Sequence, residues 1–126
     1  MLSAVKFLHE ENVVHRDIKP ENIMIDNYNK LNFAEINSTK LSNFDIKLID
    51  FGTSRILAKK TFKTLVGTSH YLAPEVIMGG YHKQCDIWSC GVILYVMLTG
   101  KYPFYAETED KMYEKITNEE PNYNIE

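Results

Sequence analysis

Arginine is nearly absent from this 126-residue sequence; of fourteen basic residues only Arg16 and Arg55 are arginines. With seventeen acidic residues the net charge is -3, and no basic stripe is available to follow a nucleic-acid backbone. No apolar run reaches the length needed to span a membrane, and the first residues lack the charged-apolar-small pattern of a signal peptide. Cysteine is scarce too. Cys85 and Cys90 lie five apart on one predicted helix, so their side chains point to different faces. That argues against a disulfide or zinc site and for two small buried hydrophobes, in keeping with a reducing, cytoplasmic location. The rest of the composition, 44% hydrophobic and 25% charged, is that of an ordinary globular protein, and the length fits one domain at most.

What is present is concentrated in His15-Arg16-Asp17-Ile18-Lys19-Pro20-Glu21-Asn22. Pro20 fixes its own φ and pushes Lys19 out of the α region, so this backbone is extended or turned. A carboxylate (Asp17), an ammonium (Lys19) and a carboxamide (Asn22) can then converge on one point. These groups can take a proton from a hydroxyl, hold a phosphate and ligate a hard cation. Asp50-Phe51-Gly52 follows a strand-like run and adds a second oxygen ligand. Gly67-Thr68-Ser69-His70-Tyr71-Leu72-Ala73-Pro74-Glu75 comes next in order. A lone Asp-Phe-Gly is a weak signal; three motifs in this order are a strong one.

Together these segments resemble the H-R-D-x-K-x-x-N, D-F-G and A-P-E signatures of protein kinases. The resemblance implies an α+β protein kinase-like fold: a partial large lobe, mainly helical, with short strands around the catalytic loop. Residues 1–126 would be one partial kinase domain, with catalytic loop 15–22, insertion about 26–44, activation segment 50–75 and central helix about 86–98. It implies ATP and Mg²⁺ as cofactors and a protein as substrate. Asp17 would orient the substrate hydroxyl and accept its proton, and Lys19 would steady the phosphoryl group. Asn22 and Asp50 would ligate Mg²⁺, and Met24 would underlie the adenine ring. Asp86 would bond back to the catalytic-loop backbone. His15 would be structural, packed on Phe51. Thr68 would bond toward Asp17 and Lys19 and mark serine/threonine specificity. Thr64 is the expected phosphorylation site, with Arg16 as the partner of its phosphate. Glu75 resembles a residue that pairs with a later arginine, yet none follows Arg55.

Tyr81 to Tyr95 is similar to the calcium/calmodulin-regulated branch, calcium-dependent protein kinases in particular. No D-x-D-x-D-G loop is present, so calcium-linked regulation would act through segments outside this sequence. His70 and His82 are read as surface residues rather than metal ligands. The glycine-rich loop, its strand lysine and the helix glutamate that define a kinase small lobe are missing, and Met1 is expected to lie inside a longer helix. The 126 residues alone are therefore expected to be inactive and marginally stable. A non-catalytic interaction module is the alternative. A small-molecule phosphotransferase is disfavoured by Ala73-Pro74-Glu75.

Periodicity supplies the elements. Leu2, Ala4, Val5, Phe7 and Leu8 form an amphipathic helix ending near Glu11-Asn12. Val13-Val14 and Ile23-Met24-Ile25 are short strands, and Asp45 to Ile49 alternates as a half-buried strand. The Asn-rich stretch between them reads as a surface loop, with Phe33 and Leu41 as possible docking anchors. Nothing in Thr53 to Val66 enforces a helix or strand. Asp86 to Leu98 is apolar nearly all round, as in a central helix, with Ile93 and Met97 propping Met24. Gly100 ends it and Pro103 prevents its return. Thr108 caps a last helix with Met112 and Ile116 on its apolar stripe.

Overall fold

The computed structural model describes residues 1–26, 45–56, 67–80 and 82–123. The Phe33 and Leu41 docking reading and Thr64 lie outside them. Among the described residues four α-helices, α1 (Leu2–Glu10), α2 (Pro74–Ile77), α3 (Gln84–Thr99) and α4 (Glu109–Asn118), carry four short strands. Strands β1 (Val13–Val14) and β4 (Arg55–Ile56) pair antiparallel, Val13 opposite Ile56. Strands β2 (Ile23–Ile25) and β3 (Ile46–Leu48) do the same, Met24 opposite Lys47. These two ladders bracket the segment 15–22. The α+β expectation holds.

Helix α3 organises the packing. Cys90, Val92 and Ile93 meet Val5, Ile18 and Tyr71 in one cluster. Cys85 joins Val14, Leu72, Ala73 and Val76 in a second. Phe104, Met112 and Ile116 form a third beneath Trp88, whose ring stacks on Phe104 at 6.1 Å. The two thiols thus fall in separate clusters. Burial raises the Cys85 thiol pKa, with Asp86 adding to it, and lifts Cys90 to about 11, so both are protonated and inert.

Several expectations change. The segment after Gly52 does contain a strand, β4, because Val13-Val14 offers it a ladder; pairing outweighs local propensity. Strand β3 is more open than its alternation implies: Ile46 is exposed, because two strands alone leave a bare face. In α1 only Val5 is buried, and Leu2 and Phe7 face outward. Helix α3 is buried along one side and bare along Ile87, Leu94, Met97 and Leu98. Of the two residues expected to prop Met24, Ile93 is buried and Met97 is 76% exposed. Thr108 does cap α4, accepting the Lys111 N–H at 3.5 Å.

Gly100 closes α3 with φ 69°, and its N–H reaches the Val96 carbonyl at 2.8 Å. A Cβ there meets nothing within 4 Å, so only backbone strain opposes a side chain. Gly100→Ala should lower stability by about 1–2 kcal/mol. Chemical denaturation of the two chains side by side measures this.

Candidate active site

The segment 15–22, expected to be the catalytic loop, is held from below by a buried carboxylate. Asp86, in the first turn of α3 and 0% exposed, accepts the His15 N–H on Oδ2 and the Arg16 N–H on Oδ1, each at 2.9 Å. The His9 Nε2 meets Oδ2 at 2.8 Å. Arg16 is left-handed, φ 71°, a strained conformation for a long side chain that the two grips maintain. Its Nε donates to the Thr53 carbonyl at 2.5 Å. Thr53 also donates its hydroxyl to the His15 carbonyl at 3.0 Å. Sequence reasoning missed Thr53 and His9. Both are polar residues of ordinary type, and only the packed fold shows what they reach.

His15 is fully buried, with both ring nitrogens engaged: Nε2 lies 3.1 Å from the Ile49 carbonyl and Nδ1 faces the Asp17 N–H at 3.4 Å. Those partners fix the tautomer with hydrogen on Nε2, since a carbonyl accepts and an N–H donates. Its ring meets Phe51 edge-on at 5.0 Å. His15 thus ties the catalytic loop to Asp50-Phe51-Gly52.

From this base Asp17, Lys19, Asn22 and Thr68 come together. Pro20 opens a 3₁₀ turn, Pro20–Asn22, with Lys19 extended at φ -156°. Lys19 Nζ lies 2.9 Å from Asp17 Oδ2 and donates to Thr68 Oγ1 at 2.8 Å. The Thr68 hydroxyl donates to Asp17 Oδ1 at 3.1 Å. Asn22 Nδ2 donates to the Asp17 carbonyl at 2.9 Å and to Asp17 Oδ2 at 3.1 Å. Burial pushes the Asp17 carboxyl up, but hydrogen bonds from Lys19 and Thr68, the Lys19 charge and Asn22 outweigh it. The net result lies below the ordinary value of 3.8.

Asn22 and Asp50 carry oxygen donors of the kind a hard cation takes. The amide nitrogen of Asn22 is engaged by Asp17, which turns its carboxamide oxygen to other partners. Asp50 is left-handed, φ 60°, and its Oδ1 accepts the Gly52 N–H at 3.1 Å. The Asn22 carbonyl accepts the Ile49 N–H at 2.9 Å, which sets Asp50 one residue from that pairing. Hard oxygens from one Asn and one Asp suit Mg²⁺, which is commonly held by few protein ligands plus phosphates. Among the described residues no trio of His, Cys, Asp or Glu forms a metal cage. Met24 is 54% exposed on β2, an open apolar surface. Glu75, in the first turn of α2, is partly exposed. Among the described residues it has no ion-pair partner, and no oxygen of it is both buried and unbonded. The Glu75 carboxylate, expected by resemblance to pair with an arginine, is thus not a fully buried charge.

A fold of this kind around this loop is that of a protein kinase. Residues 1–125 match the protein kinase domain family, and the chain belongs to that family. Calcium-dependent protein kinase 4 from Plasmodium berghei (strain Anka) and from Plasmodium falciparum (isolate 3D7) are each 43% identical over 117 residues, covering 92% of this chain and 20% of theirs. Calcium-dependent protein kinase 27 of Arabidopsis thaliana is 39% identical over an alignment of 127 residues, covering 100% of this chain and 24% of its own. The chain thus spans about a fifth to a quarter of the length of these relatives. The resemblance to the calcium-dependent branch holds. Among the described residues no helix is long and apolar enough to cross a membrane.

Two outcomes follow from this geometry. A Cβ on Gly67, φ 117°, would lie 2.9 Å from the Arg16 carbonyl and 2.8 Å from Leu72 Cδ2. Gly67→Ala should cost about 1–3 kcal/mol of stability, read from denaturant melts, and should displace the residue before Asp17. The second outcome concerns acid. A carboxyl with a lowered folded pKa stabilises the fold above its ordinary value and loses that contribution as pH falls through the lowered one. Asp17→Asn should therefore flatten the acid limb of the stability curve below about pH 4 and leave its shape at neutral pH alone. Circular dichroism melts across that range compare the two.

Proposed function

We propose that this chain carries the phosphoryl-transfer residues of a serine/threonine protein kinase, acting on a protein Ser or Thr hydroxyl with the γ-phosphoryl group of Mg-ATP. The observation that carries the reading is the Asp17–Lys19–Thr68 triangle, with all three contacts between 2.8 and 3.1 Å. Bound Mg-ATP supplies the phosphoryl group and the cation that offsets its charge. The chain's own residues do the rest. A carboxylate with a lowered pKa is a weak base, so Asp17 acts chiefly by orienting the acceptor hydroxyl, and takes its proton late, as the oxygen–phosphorus bond forms. Lys19 balances charge on the transferred group, which leaves ADP as the bridging bond breaks. Asn22 and Asp50 would hold Mg²⁺, and Met24 would meet the adenine. Thr68 fixes the distance between Asp17 and Lys19. A phosphate on Thr64 would give Arg16 a further acceptor beside the same loop.

Calcium-linked regulation is read from the names of the relatives, and would act through segments outside these residues. A second reading, an interaction module without catalysis, draws on the bare apolar side of α3 at Leu94, Met97 and Leu98.

In a complete kinase domain containing these residues, Asp17→Asn should lower kcat by about 10²–10⁴-fold, with a much smaller change in the KM for ATP. Asp50→Ala should abolish Mg-dependent nucleotide binding, measured by calorimetry. Equal turnover in Asp17→Asn would remove that residue from the mechanism. Normal Mg-ATP use by Asp50→Ala would remove the metal assignment.

A further inference from the structure

The start of α3, with its N-cap residue Lys83, grips the segment 9–16 at both ends. Asp86 takes its far end through the His15 and Arg16 N–H groups. Lys83, one turn earlier, takes the near end: its ammonium donates to the His9 carbonyl and to Asn12 Oδ1, the latter at 3.0 Å. The two grips are joined, because the His9 ring itself meets Asp86 Oδ2. His9 and Asn12 mark where α1 stops. The Asn12 N–H closes on the His9 carbonyl at 3.2 Å, and Asn12 is left-handed at φ 57°. That left-handed residue sets the direction in which β1 leaves for the catalytic loop.

We propose that Lys83 is a positioning residue for phosphoryl transfer, holding the end of α1 so that His9 orients Asp86 and Asp86 in turn orients the backbone before Asp17. Its effect on turnover rests on the kinase reading above; its effect on the loop does not. The carbonyls at a helix C-terminus carry the negative end of the helix dipole and lack intrahelical partners, so an ammonium there is favourable. Without it the last turn of α1 frays, and the imidazole loses the fixed backbone from which it reaches Asp86. A merely local cap would steady α1 and leave the His15 and Arg16 amides as they were. The relay predicts that they change.

In a complete kinase chain containing these residues, Lys83→Met should lower kcat about tenfold with the KM for ATP and for a peptide substrate within about twofold. Hydrogen exchange at the His15 and Arg16 amides should quicken about tenfold in the same variant, with the amide of Ile93 in mid-α3 unchanged. Lys83→Arg keeps a charged donor and should recover most of both losses. Asn12→Gly removes one acceptor while keeping the left-handed backbone unstrained. Alone it should lower kcat about threefold, and in the Lys83→Met background it should add nothing. Unchanged exchange at His15 and Arg16 overturns the proposal whether or not the chain phosphorylates protein. So does quickening spread evenly over all of α3, or an Asn12→Gly effect that adds in full. Failure of the unsubstituted kinase to transfer phosphate counts against the kinase reading instead, and the exchange result then decides the role of Lys83 by itself.

Discussion

One buried carboxylate holds the segment 15–22 in place. Asp86 has no exposure, and a charge in such a position is tolerated only where hydrogen bonds replace water. Here the replacements are the His15 and Arg16 amides and the His9 ring. The same bonds that solvate Asp86 keep Arg16 left-handed and thereby aim the next residue, Asp17. Solvation of the core and geometry of the loop are one constraint. Replacing Asp86 by an apolar residue would leave two buried N–H groups without acceptors, a larger loss than the bonds themselves are worth.

Above that anchor, the polar groups are arranged so that each has one task. Asn22 places its amide hydrogens on Asp17, Lys19 bridges Asp17 and Thr68, and the His15 ring occupies both nitrogens in joining two segments. The ionised state of Asp17 follows from its neighbours rather than from exposure, since burial alone would raise its pKa. The arrangement suits a reaction in which positioning and charge matter more than a strong base.

Much of this was legible in the sequence, for a local reason. Asp17, Lys19 and Asn22 lie within six residues of one another, and Pro20 restricts the backbone between them, so their convergence is nearly a property of the segment. Phe51 against His15 and Thr68 against Asp17 followed from motif order by resemblance. The contacts of His9, Thr53 and Lys83 did not, because they join residues 37 to 77 positions apart through side chains of ordinary type. Strand β4 was hidden because its partner, not its composition, makes it a strand. The bare side of α3 was hidden as well. A helix apolar on every face does not reveal which face its neighbours cover.

The two strands that flank the Asn-rich stretch end on a small closure. The Asp26 N–H reaches the Asp45 carbonyl at 2.7 Å, and the exposed Lys47–Asp26 pair at 2.6 Å sits across the same gap. Such an exposed pair adds little energy, but the backbone bond brings both ends of the intervening chain to one point. Closing a longer excursion at that point costs only the logarithm of its length, about 0.6 kcal/mol for each doubling. The β2–β3 hairpin is therefore a port at which chain can be gained or lost over generations while Asn22 and Asp50 keep their places. Variation between related sequences can accumulate there without passing through the chemistry.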